Sequence, residues 1–263
     1  MRCLRGLTRW ILVAGAAWVA AGAPAEARGG RVHALLPAHF MFGLANGGSN
    51  LPWLRGARVP IEMRYQYLSG GVNTGRGWQT WGASGSYATH YIRDSRSVGA
   101  IPVFTYYNLL QSRPARGRGE IDKVFNNLND RETMRAYYED FRLLMQRGSA
   151  AGGRAVVHVE PDFFGYVQAN YARGRRPAAE VTAAVASTGL PELRGLPNTA
   201  AGYGRALLRL RNRHGRGVLL ALHASDWASG TDISNSNRRN VAARDIGLST
   251  GRFLRGFGEG WNL

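Results

Sequence analysis

Short apolar runs recur along this chain, and each ends in a turn signal. Phe40 to Leu44 gives way to Asn46-Gly47-Gly48, and Val59 to Leu68 gives way to Gly70-Gly71. Ile101 to Leu109, Ala155 to Glu160 and Gly217 to His223 repeat the form, and all five runs read as strands. Helical spacing falls between them, over Tyr87 to Val98, Asp130 to Gln146, Ala178 to Ser187, Asn198 to His214 and Arg238 to Gly256. Asp130 is placed to cap the second of these helices. Gly75 to Ser86 and the long polar stretch ahead of Asp130 read as loops, and Trp261-Asn262-Leu263 as a sixth strand just beginning.

Strands alternating with helices at this spacing predict parallel β/α units, so the expected fold class is α/β. Such units build either an open doubly wound sheet or a TIM-like barrel. A barrel uses about eight units and at least about 200 residues. The pattern here supplies five to six. The expectation is a parallel β/α barrel, incomplete and truncated at its C-terminus. The final triplet is apolar, not a solvated tail, and would leave an open sheet edge.

Side chains alternate along a strand, so each strand has two readable faces. Glu62, Arg64 and Gln66 share one face of the second strand, and Ile61, Met63, Tyr65 and Tyr67 the other. In the fourth strand His158 and Glu160 oppose Val157 and Val159; in the third, Thr105 and Tyr107 oppose Phe104, Tyr106 and Asn108. Helices must cover one face of a parallel sheet, so the expectation places Glu62, Arg64, His158 and Glu160 in a common lumen. His223 closes the fifth strand. Burying Glu160 and Asp162 on either side of Pro161 is expensive without a role for them, because an unpaired buried charge costs several kcal/mol or neutralises. Carboxylates and histidines at strand ends are where barrel enzymes keep acid and base groups. Trp53, Trp78, Trp81, Tyr107, Phe163, Phe164, Tyr166 and Trp227 all follow or close a strand. Aromatic rings beside carboxylates suit sugar rings, whose C–H faces stack while their hydroxyls bond to polar groups. A buried structural network is the competing reading for any one of these residues.

The formal net charge of +17 raises the question of nucleic acid. Lys123 is the only lysine, the arginines are scattered, and no nucleic-acid motif accompanies them, so no nucleic-acid partner is expected. No nucleophile elbow, P-loop or dinucleotide fingerprint is present, and no cofactor is expected. His33 and His39 lack a third ligand at metal spacing. His158, Glu160 and His223 form the one group weighed for a divalent ion, and the expectation is no metal.

Residues 1–27 read as a signal peptide. Arg2, Arg5 and Arg9 form a positive head, Trp10 to Ala21 is apolar but short for a bilayer, and Ala25-Glu26-Ala27 supplies a cleavage pattern. Cleavage would remove Cys3, the only cysteine, and leave 28–263 as a single domain without a thiol. The expected location is secreted or periplasmic, with no stable membrane insertion after cleavage.

Glu160-Pro161-Asp162 after an apolar strand resembles the Glu-Pro-Asp element of family-six glycoside hydrolases, the cellobiohydrolases and endoglucanases. Val103 to Leu109 resembles that family's strand ending in Tyr-Asp-Leu-Pro, and Leu222 to Trp227 its Asp-Ala-Gly-His-Ala-Gly-Trp strand end. The likeness runs from about Ile101 to Trp227. It departs at Gln111-Ser112-Arg113, where the family has Asp-Arg-Asp, and at Asn108 and His223, which stand in place of aspartates. The resemblance implies an inverting hydrolase on an incomplete barrel, with Asp162 as proton donor. Glu160 and His158 would tune or orient it. Glu62 and Asp226 are the candidate second carboxylates. Arg64, Tyr107, Asn108, His158 and His223 are the candidate polar sugar contacts, with Phe163, Trp78, Trp81 and Trp227 as stacking rings. The expected function is a glycoside hydrolase-like protein that cleaves or binds an oligo- or polysaccharide. A non-catalytic saccharide-binding protein and an inactive fragment remain open at this point.

Overall fold

Five strands, β1 (Gly43–Ala45), β2 (Met63–Leu68), β3 (Ile101–Tyr106), β4 (Ala155–Val159) and β5 (Val218–Ala221), pair side by side in a computed structural model. The structure describes residues 36–47, 51–56, 60–172, 177–232 and 242–263. The signal-peptide reading and Cys3 lie outside the described residues. The sheet is all parallel and its order follows the chain, β1-β2-β3-β4-β5. This order contains no reversal, the feature that marks a doubly wound sheet. Asn262 and Leu263 donate to the Leu220 carbonyl and Leu222 donates to the Leu263 carbonyl, so the final triplet lies along the free edge of β5 as a strand would.

Parallel neighbours need crossover connections, and right-handed crossovers between strands taken in sequence put every helix on the same face. The helices are α1 (Leu51–Gly56), α2 (Ser86–Ser97), α3 (Glu120–Asn129), α4 (Arg131–Ala150), α5 (Pro161–Val167), α6 (Ala200–His214) and α7 (Ala243–Arg255). The main core lies between sheet and helices: Leu68, Phe104, Tyr106, Val157, Val159 and Leu220 meet Ile92, Leu128, Tyr137, Phe141, Phe164 and Tyr203. The opposite face carries a smaller cluster of Val156, Leu219 and Ala221, covered by Leu36 and with Met41, Ile101 and Val103 against it.

Local chemistry sets the helix starts. The Asp130 side chain accepts from the Thr133 amide and caps α4, as its position in the sequence indicates. Thr199 caps α6 through Gly202 N. Pro161 occupies the first turn of α5, where its missing N–H costs nothing. The helix expected over 178–187 does not form. Thr182 bridges Thr199, Ala183 donates to Asn198 and Ala184 to Leu128, so tertiary partners take these backbone groups. Helix α3 forms within the polar stretch that reads as loop, and α1 and α5 form where the spacing predicts neither strand nor helix. No described helix is long and apolar enough to cross a membrane.

The faces of β3 and β4 fall as alternation predicts, but β2 is turned over. Its register pairs Gln66 with Phe104 and Leu68 with Tyr106, so Arg64, Gln66 and Leu68 share the helix-covered face. Met63, Tyr65 and Tyr67 share the open face. Both faces of β2 carry polar atoms, and alternation alone cannot tell them apart. Helix α2 can, because it supplies partners for a buried cation.

Candidate functional site

The C-terminal ends of β3 and β4 bring Tyr107 and Asp162 together. The Tyr107 hydroxyl donates to Asp162 Oδ2 at 2.9 Å. Tyr107 is the first residue after β3, on the open face, and Asp162 is the second residue of α5, three residues past the end of β4. Tyr67, at the end of β2, packs edge-on against Tyr107 with ring centroids 6.2 Å apart and is 43% exposed. Burial pushes the Tyr67 and Tyr107 hydroxyls up, and the bond to Asp162 adds to the rise for Tyr107. Both stay protonated at neutral pH, so Tyr107 is the donor in its bond with Asp162.

A second pair sits on the same face. His158 Nε2 and His223 Nδ1 are 3.1 Å apart, with the rings tilted at 40°. Burial, and then the neighbouring His223, push His158 down to about 4. Burial also lowers His223, against the opposing pull of Asp162 and Asp226. One imidazole therefore donates and the other accepts, and the pair can pass a proton. It lies within electrostatic reach of Asp162 through His223.

Trp227 lies in the segment that follows β5. It is 37% exposed and packs on Tyr166 of α5 with centroids 5.6 Å apart. Gly165 makes that approach possible: a Cβ there would stand 2.7 Å from the Trp227 ring. The Tyr166 hydroxyl donates to Glu120 Oε2 at 2.9 Å. After burial, the bond to Glu120 and then the charge of Asp162 raise the Tyr166 hydroxyl further. Glu120 opens α3 and was missed in the sequence, because the Arg/Gly-rich approach to α3 masks its start. The apolar spacing Ile121, Val124, Phe125, Leu128 is the signal that reveals that helix.

Other expected site residues lie elsewhere. Glu160 adopts φ 36°, which takes its side chain off the alternation and away from His158. It is fully buried on the helix side, where its Oε1 accepts from the Asn108 and Leu109 amides at 2.8 and 3.0 Å. Burial pushes its carboxyl up to about 8, against the pull of those amides and the Tyr137 hydroxyl. Glu160 is a buried link between the ends of β3 and β4, not a lumen group. Arg64 is also fully buried. It donates to Asn46 Oδ1, Ser95 Oγ and the Gly47 carbonyl and lies 4.1 Å over the Tyr91 ring. Those partners tie β1, β2 and α2 together, so Arg64 faces a helix and no cleft. Glu62 precedes β2 and hydrogen-bonds His39. Six strand residues at about 3.3 Å each separate it from the strand end, so it is not the second carboxylate beside Asp162.

Asn108 spends its amide on Leu68 O and Gly71 N and is fully buried. Phe163 is core, packed on Tyr203, Phe164 and Phe257. Trp78 is core too, with Nε1 donating to Asp140 at 2.7 Å. Trp81 is exposed but packs on Tyr87 of α2 instead of on Tyr107. Asp226 is exposed and acts on His223. No cluster of three or more metal-ligating side chains occurs among the described residues.

Neither family models, nor curated proteins, nor solved structures give a match to this chain.

Proposed function

We propose that this chain is a glycoside hydrolase-like protein with a saccharide site at the C-terminal ends of a barrel-type run of strands. Asp162 is the general acid. The observation that carries the reading is the Tyr107–Asp162 bond between the ends of adjoining strands, with the exposed Tyr67 ring packed on Tyr107. The in-sequence strand order with its helices on one face supports a barrel-type architecture.

In this reading a sugar ring stacks on Trp227 or Tyr67, and the glycosidic oxygen meets Asp162. Tyr107 holds Oδ2, which leaves Oδ1 to deliver the proton. An inverting reaction needs a carboxylate about 6.5–9.5 Å from the acid to activate water. Asp226 beside His223 and Glu120 beyond Tyr166 are the two flanking carboxylates. The activating carboxylate takes up the proton that the attacking water gives up, as the general base of an inverting reaction.

A second reading, saccharide binding without cleavage, is favoured by the place of Glu62, which removes one of the two expected water-activating carboxylates from the strand ends. Incubation of the chain with β-glucan and assay of reducing ends separates the two. The hydrolase reading expects release that Asp162→Asn abolishes. Retention on β-glucan without release supports binding alone, and neither retention nor release rejects both.

A further inference from the structure

The opposite end of the sheet holds a second feature that the strand-end chemistry does not use. A cavity of about 340 Å³ opens at the N-terminal ends of β3, β4 and β5. Its walls are Ile101, Pro102, Val156, Leu219 and Leu36, and two arginines, Arg96 and Arg154, stand in its lining. It is separated from Asp162 by the length of β4, five residues at about 3.3 Å each.

Among the described residues neither arginine has a counter-charge. Arg96 closes α2, and its Nη1 donates to the Ala151 carbonyl. Its Nε and Nη2 are buried and meet no acceptor. Burial, and then Arg154, lower the Arg96 guanidinium from its usual value. A buried donor without an acceptor is costly, and a like charge beside it adds to the cost. Two structural duties explain part of Arg96: it suits a helix C-terminus and it caps Ala151. Neither accounts for the two idle donors or for Arg154.

Arg154 is the second observation. It adopts φ 55°, a left-handed conformation that a side chain resists and a glycine accepts. The turn at Gly152 and Gly153 and the bond from Arg154 N to Gly217 O hold it there. A third glycine would satisfy this backbone better, yet the position carries a cation on the cavity wall.

We infer that the cavity at the N-terminal strand ends binds a small amphipathic anion, a carboxylate whose head lies between Arg96 and Arg154 and whose apolar body lies against Ile101, Pro102, Val156 and Leu219. Guanidinium groups match carboxylates in charge and geometry, and no other side chain of the lining is polar. The site is independent of the saccharide reading.

Calorimetric titration of the full chain with sodium hexanoate tests it, with inorganic phosphate as the comparison. Arg154→Gly removes one cation and suits the left-handed backbone, so the fold stands. Arg96→Gln removes the other and keeps a donor for Ala151. Arg131→Ala, an exposed position at the start of α4, controls for the loss of one positive charge. The expected result is hexanoate binding at one site, weakened about 10–100-fold by Arg154→Gly and by Arg96→Gln and unaltered by Arg131→Ala. Phosphate should bind more weakly than hexanoate, because it leaves the apolar wall unused. Equal affinity in all four proteins would mean only diffuse attraction to a basic chain. That result, no binding by the wild type, or phosphate as tight as hexanoate would overturn the inference.

Discussion

Tyr107 and Asp162 are joined by a 2.9 Å hydrogen bond across the ends of two neighbouring parallel strands. They are fifty-five residues apart in the chain, and the bond exists because β3 and β4 pair in register from Val103–Val156 to Tyr106–Val159. The bond fixes one carboxyl oxygen of Asp162.

Tyr107→Phe keeps the ring against Tyr67 and removes only that bond. A hydrogen bond between two protonated groups contributes about 0.5–1.5 kcal/mol. The expected outcome is a fall in kcat on a cello-oligosaccharide of about 2–10-fold with KM changed less, read by steady-state kinetics. An unaltered kcat would show that Tyr107 does not position Asp162.

Trp78 and Trp227 should separate stability from binding. Trp78 is fully buried and bonded to Asp140, so Trp78→Ala should cost about 3–5 kcal/mol in urea denaturation. Trp227 is partly exposed, and Trp227→Ala should cost about 1 kcal/mol or less while weakening retention on β-glucan in affinity electrophoresis. The reverse pattern would place the sugar at the Gly75–Ser86 loop instead.

Stability should vary with pH in a way set by three buried groups. Glu160 and Asp140 are pushed up to about 8 and about 6, so folding takes up protons as each unfolded carboxyl would lose them, and stability falls as pH rises toward those values. His158 is pushed down to about 4, so its contribution has the other sign, and stability rises as pH climbs from about 4 to the usual histidine value. The two effects oppose each other below about pH 6.5. Between about 6.5 and 8 only Glu160 of these three still changes, with a slope of about 1.4 kcal/mol per pH unit at most. Glu160→Gln should flatten that limb in denaturant titrations across pH. A limb that keeps its slope would show that Glu160 is already ionised in the folded chain.

Much of the scaffold was legible in the residues. The five strand positions, the cap at Asp130 and the faces of β3 and β4 follow from apolar spacing and turn chemistry. The face of β2 was not legible, because Arg64 finds its acceptors on Asn46, Gly47 and Ser95, none of which local periodicity can reveal. Glu160 escaped the alternation rule through one left-handed residue. Trp78 and Phe163 have the composition of stacking rings, and only tertiary packing shows them to be core. Glu120 reaches the site by way of Tyr166, forty-six residues later, a contact no short motif encodes.

The signal-peptide reading has its own test. N-terminal sequencing of exported protein should begin near Arg28, after Ala25-Glu26-Ala27. An intact Met1 on a protein that stays in the cytoplasm would reject it.

The most direct measurement of the account compares Asp162→Asn with the wild type on two substrates, an unactivated cello-oligosaccharide and an aryl glycoside with a good leaving group. Asparagine keeps the shape and cannot give up a proton. General acid catalysis contributes about 10²–10⁴-fold, so hydrolysis of the oligosaccharide should fall by about that factor. The aryl glycoside needs less protonation and should lose much less, while binding of the oligosaccharide persists. Equal losses on both substrates, no loss on either, or no hydrolysis by the wild type would contradict Asp162 as the general acid.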